Sequence, residues 1–273
     1  MTATHIRYPA VAGRFYPHDA EALRQEVRAY LSQTPLQTPL RALGCIVPHA
    51  GYMYSGHVAG AVFSRLEIPQ LCLVLCPNHT GVGRALAIVS EGAWLTPLGN
   101  VAIDSAFAAA LKQRCPLLQE DPAAHRSEHA AEVELPFLQT CQPQLRFVPI
   151  ALGTGQFDAL EQLGDAVADV IAVQNDPVLI VASSDMNHYE SDAITRVKDR
   201  SAIEPILTLD ARTLYDVVTQ QHVSMCGFGP AVAMLTAATK LGATSAELVK
   251  YATSGDISGD RDTVVGYAGI VID

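Results

Sequence analysis

Short unbroken apolar runs alternate along this chain with longer stretches whose apolar positions recur every three or four residues. The runs Leu43–Val47, Leu71–Cys76, Ala85–Val89, Phe147–Leu152, Val178–Ala182, Leu248–Ala252 and Gly266–Ile272 are rich in Val, Ile and Leu. They do not alternate with polar residues, as expected of strands covered on both faces. The stretches Ala20–Leu31, Gly56–Leu66, Ser105–Arg114, Phe157–Ala172, Lys198–Thr208, Ala211–Thr219 and Gly227–Thr239 predict helices. Asp104, Asp210 and Ser55 each stand just ahead of one, where a side-chain oxygen caps free backbone N–H groups. This alternation predicts an α/β fold layered about a mostly parallel or mixed central sheet. No repeat, low-complexity tract or linker divides the chain, so a single domain over residues 1–273 is expected.

Composition narrows the function. Apolar residues make up 49% and charged residues 17% of 273, which excludes a disordered tail and leaves ample material for a core. Eighteen Lys+Arg against 28 Asp+Glu give a net charge of −10, a poor match to nucleic acid or an anionic membrane surface. No run approaches the roughly 18 continuous apolar residues of a membrane span. Met1–Tyr16 is polar and mixed, unlike a signal peptide. The six cysteines lack regular spacing, and a reducing cytoplasm is the expected location. Cys45, Cys72 and Cys76 lie in or beside apolar runs and read as small hydrophobes. A zinc pair would sit on a turn, so Cys72 and Cys76 are not expected to hold metal. Cys115 and Cys141 read as structural bystanders.

Candidate chemistry collects where strands end. His49 follows the first apolar run in Pro48-His49-Ala50-Gly51-Tyr52, and His79 follows the second in Pro77-Asn78-His79-Thr80-Gly81. Ser183-Ser184-Asp185-Met186-Asn187-His188-Tyr189 follows Val178–Ala182. Ligands of open α/β sheets bind beyond the carboxyl ends of the strands. Each histidine alone reads equally as a loop residue bonded to backbone; three at equivalent positions point to one site. Cys226 stands just before a predicted helix, where the helix dipole favours thiolate; otherwise it is a buried cysteine at a helix start. In Glu128-His129-Ala130-Ala131-Glu132-Val133-Glu134, His129 and Glu132 would share a face if a helix begins there, as a pair that orients ligands or moves protons. A solvated acidic turn ahead of Pro136 is the other reading. Gly153-Thr154-Gly155-Gln156 lacks the Lys of a phosphate-binding loop, and neither a dinucleotide fingerprint nor a serine-hydrolase elbow is present.

Several motifs in order carry a resemblance: Tyr8–Pro17, Val47–Gly56, Pro77–Gly81, Glu128–Phe137, Ser183–Tyr189, Cys226–Pro230, Tyr251–Gly255 and Val265–Gly269. The sequence resembles the MEMO family, also called the AmmeMemoRadiSam system protein B group. That family is similar in fold to the class III, LigB-type extradiol dioxygenases, which use non-haem iron(II). The resemblance implies a metal pocket with His49, His79 and Cys226 as ligands and with Asp185 and His188 lining it. His188 matches the acid/base histidine of the dioxygenases, and His129 with Glu132 would form an outer support. Those enzymes complete their site with a carboxylate, where this chain has a thiol; Fe(II) is the expected metal, and a softer ligand also admits Cu or Zn.

The resemblance implies an oxidoreductase acting on a small phenolic or related substrate. Its alternative is a non-catalytic protein that binds a metal, a peptide or a partner in a repurposed pocket, with AMMECR1-type and radical-SAM-type proteins as the implied partners. A Cys226 nucleophile assisted by His188 would leave His49 and His79 without roles.

Overall fold

The computed structural model describes residues 5–33 and 38–273. Its strands are β1 (Ile6–Arg7), β2 (Gly44–Val47), β3 (Leu71–Pro77), β4 (Leu86–Ile88), β5 (Ala93–Thr96), β6 (Gly99–Ile103), β7 (Gln119–Glu120), β8 (Arg146–Leu152), β9 (Val178–Ser183), β10 (His188–Glu190), β11 (Ala246–Thr253) and β12 (Val264–Ile272). All join one sheet, whose main path runs β1-β5-β6-β8-β3-β9-β2-β12-β10. Its centre, β8-β3-β9-β2, is entirely parallel, while β12 pairs antiparallel with β2, β10 and β11. Every residue of β2, β3 and β9 is buried, which explains their unalternated sequences. Helix Phe228–Lys240 packs on β9, β3 and β2, and helix Tyr52–Phe63 packs on β2, β11 and β12.

The seven expected strands and seven expected helices all form, with shifted ends in most. Helix Ala20–Leu31 and helix Ser105–Arg114 have the expected bounds, and Asp104 and Asp210 cap as expected. Ser55 does not cap. Its helix begins at Tyr52, whose N–H donates to Phe15 O at 2.7 Å, so Ser55 lies inside and its hydroxyl donates to Ala50 O. The helix expected from Lys198 begins at Asp192, where Ser191 accepts from Ile194 N–H. Strands β1, β5, β6, β7 and β10 and helices Pro122–Arg126, Leu135–Cys141 and Gly255–Ser258 are additions. The helix considered for His129 and Glu132 does not form; residues 130–134 are turns leading into Leu135.

Candidate metal centre

Adjacent parallel strands put their carboxyl ends on one edge of a sheet. Here β3, β9 and β2 are such neighbours, and the residues that leave them carry the chemistry. His49 follows β2, His79 follows β3, and Ser183 ends β9 two residues before Asp185. His129 arrives from the turns ahead of Leu135. The ring centroids of His49 and His79 are 5.1 Å apart, those of His49 and His129 5.4 Å, and those of His79 and His129 4.8 Å. One nitrogen from each ring lies within 4.8 Å of the others, which makes these three a metal-capable group. Cys226 joins through its sulfur, 3.2 Å from His49 Nε2. Gly227 permits that approach: a Cβ there would meet Ser183 O and Ser184 Cβ at 2.4 Å.

Two rings are held by their outer nitrogens. The buried Glu128 carboxylate accepts from His79 Nδ1 at 2.9 Å, from the backbone N–H of His79 at 2.6 Å, and from the N–H groups of His129 and Ala130 at 2.8 and 2.9 Å. His49 Nδ1 meets Ser183 Oγ at 2.8 Å. The carboxylate on His79 Nδ1 leaves its Nε2 turned away from Glu128, as in the carboxylate–histidine arrangement of metal sites, while His49 Nε2 faces Cys226 Sγ. Neutral imidazoles suit zinc, copper, iron and nickel, so the donor set fits a borderline cation. Asp185 anchors the His49 loop, its Oδ1 accepting from the N–H groups of His49 (2.8 Å) and Ala50 (3.3 Å).

A family model described as Memo-like protein matches residues 7–271. The chain belongs to the MEMO family. It is 43% identical to a MEMO1 family protein of Methanopyrus kandleri over 97% of this chain and 98% of the relative. A MEMO1 family protein of Methanothermobacter thermautotrophicus is 40% identical, over 96% and 99% of the two chains. The relative from Methanocaldococcus jannaschii is 38% identical, over 98% and 99%.

Electrostatics in this MEMO-family site follow burial and the lone carboxylates. Burial pushes His49 well below the ordinary imidazole range, helped by His129 and His79, and lowers His129 against the pull of Glu128. Burial opposes protonation of His79 too, but the Glu128 hydrogen bond and charge reverse the balance and raise it. Burial lifts Asp185 to about 6, opposed by His188 and by the His49 and Ala50 N–H groups. The position of Cys226 ahead of a helix predicted a thiol lowered toward thiolate. Burial and the facing Asp185 carboxyl instead push it up, outweighing the helix terminus.

The remaining expected residues fall in two places. His188 Nδ1 donates to Ser224 O at 2.9 Å, and since a carbonyl only accepts, Nε2 is left as the base. Asn187 fixes this segment: its N–H donates to the buried Asp199, and its Oδ1 accepts from Ser224 N–H and Oγ. Glu132 lies elsewhere. Because residues 130–134 are turns, its buried carboxylate meets Arg7 (2.5 Å), Tyr16 Oη (2.6 Å) and the N–H groups of Ala10 and Val11, pinning the N-terminal segment. The carboxylate beside His129 is Glu128, at 3.4 Å. Glu128, Ser183, Glu134 and Asn187 were not singled out for roles by the sequence; only their place inside quoted motifs hinted at them.

No helix among the described residues is long and apolar enough to cross a membrane.

Proposed function

We propose that this MEMO-family protein is a non-haem iron(II) oxidoreductase of extradiol-dioxygenase type, acting on a small phenolic substrate. The observation that carries the reading is the meeting of three imidazoles, with Cys226 against one of them, at the carboxyl edge of parallel strands. His49, His79 and His129 would hold the cation, and Cys226 stands beside them as a further donor. Such a cation supplies Lewis-acid activation of a phenolic oxygen and a template that brings substrate and O₂ together. His188 contributes a base at Nε2 for the phenolic proton, its ring set by Ser224 O. Asp185 keeps the His49 loop in place through two backbone N–H groups.

Anaerobic reconstitution with Fe(II), Zn(II) or Cu(I), followed by oxygen-electrode assays with a panel of catechols and aminophenols, tests this directly. O₂ uptake confined to the iron form, and lost in His188→Ala with iron still bound, is expected. Metal loading that survives combined His49→Ala and His79→Ala would overturn the centre. Full loading without O₂ uptake across the panel would overturn the dioxygenase reading and leave a metal-binding protein without turnover.

A further inference from the structure

Ser183 Oγ is a three-way junction buried at the end of β9. It lies 2.8 Å from His49 Nδ1, 2.8 Å from Ala130 O and 2.9 Å from Glu134 Oε1. These partners come from the loop after β2 and from the turns that deliver His129, so one hydroxyl ties together the segments of two imidazoles.

A serine hydroxyl has one proton to give and two lone pairs to receive with. Ala130 O is buried and can only accept. If the hydroxyl turned toward His49, two bare oxygens would face each other at hydrogen-bond distance with no proton between them. The hydroxyl therefore donates to Ala130 O, away from the ring, and His49 Nδ1 must be the donor in its own contact with the oxygen. We infer that Ser183 is a positioning residue that presets His49 as the Nδ1–H tautomer, leaving the Nε2 lone pair bare toward Cys226 and the other two rings.

Glu134 supports the same arrangement. It is completely buried, and among the described residues its Oε2 has no hydrogen-bond partner and its Oε1 bonds only this hydroxyl. With the Ser183 proton on Ala130 O, Glu134 bonds the junction as a neutral acid, donating to the second lone pair.

A tautomer fixed before any ligand arrives removes one rearrangement from metal binding. The inference rests on the proposed metal centre for its purpose, but the tautomer can be measured without a metal. In metal-free protein with ¹⁵N-labelled histidine, long-range nitrogen–proton correlation spectra are expected to show His49 protonated at Nδ1. Ser183→Ala should release it to the Nε2–H form or to a mixture and weaken Co(II) binding about tenfold to hundredfold, the usual cost of losing a group that orients a ligand. Ser183→Thr keeps the hydroxyl and should restore both. A wild-type His49 protonated at Nε2 overturns the inference whatever the variants do, and so does Ser183→Ala with an unchanged Nδ1–H signal and unchanged affinity. Wild-type protein that shows Nδ1–H but binds no Co(II) would sink the metal centre and leave the tautomer standing.

Discussion

Glu128→Gln is the substitution that most directly probes how the centre is held. The native carboxylate receives four N–H groups: Oε1 takes His79 Nδ1 and the backbone of His129 and Ala130, and Oε2 takes the backbone of His79 at 2.6 Å. A glutamine offers one oxygen. Placed at Oε1 it keeps three acceptor contacts and sets its NH₂ against the His79 N–H; placed at Oε2 it keeps one and loses three. The first arrangement is less costly. It still converts one hydrogen bond to a buried charge into a clash of donors, and such bonds contribute about 1.5–3 kcal/mol each. The His79 loop must move to relieve the clash, and the ring moves with it. Urea unfolding of metal-free protein should therefore show a loss of about 2–3 kcal/mol. Chelator competition with Co(II) should show affinity lower by about tenfold to hundredfold, or roughly 1.4–2.8 kcal/mol. Wild-type affinity in a folded Glu128→Gln protein would refute the claim that this carboxylate orients His79.

Three further outcomes follow from the same contacts. Burial holds Asp199 protonated up to about 7, against about 4 for an unfolded aspartate, so the native chain binds more protons in that window and stability falls as pH rises through it. The shift sets a ceiling of about 4 kcal/mol on that loss; Asp199→Asn should flatten the profile between pH 5 and 8 in urea titrations, and parallel profiles for the two proteins would contradict it. Arg7→Met leaves the buried Glu132 without its cation and should cost about 3–5 kcal/mol in unfolding experiments while leaving metal stoichiometry intact. Gly227→Ala inserts a methyl 2.4 Å from Ser183 O and should cost about 1–3 kcal/mol; because the backbone must retreat with Cys226, it should also shift the sulfur-to-cobalt charge-transfer band.

The legible part of the site is the part that topology alone determines. A polar residue directly after a parallel, fully buried strand lies at the carboxyl edge whatever its rotamer, and His49, His79 and Asp185 needed only that rule. His129 carries the right chemistry, and of its two readings, a helix or a solvated turn ahead of Pro136, the turn forms, with residues 130–134 buried rather than solvated. A proline suits the first turn of a helix, where its missing N–H costs nothing, so the helix begins at Leu135 with Pro136 in its first turn and the residues before it form turns. With the helix gone, the three-residue spacing of His129 and Glu132 no longer puts them on one face, and Glu132 is free to bind Arg7 and Tyr16. The edge strands escaped for a related reason: β1 and β7 have two residues each and are defined by their partners in the sheet rather than by hydrophobic period.

What sequence could not deliver is orientation. Glu128 reaches His79 across 49 positions, and Ser183 reaches His49 across 134, so no local pattern pairs them. Yet these are the contacts that hold histidines at a sheet edge by Nδ1 and turn their Nε2 atoms away from those partners. The same gap explains Cys226, whose place before a helix suggested a thiolate. A helix terminus within one turn contributes about 0.3–1 kcal/mol at an exposed position, whereas enclosure beside Asp185 acts on the whole charge of the thiolate and prevails. In this fold the strand order selects which residues meet, and a few buried acceptors decide what those residues can do.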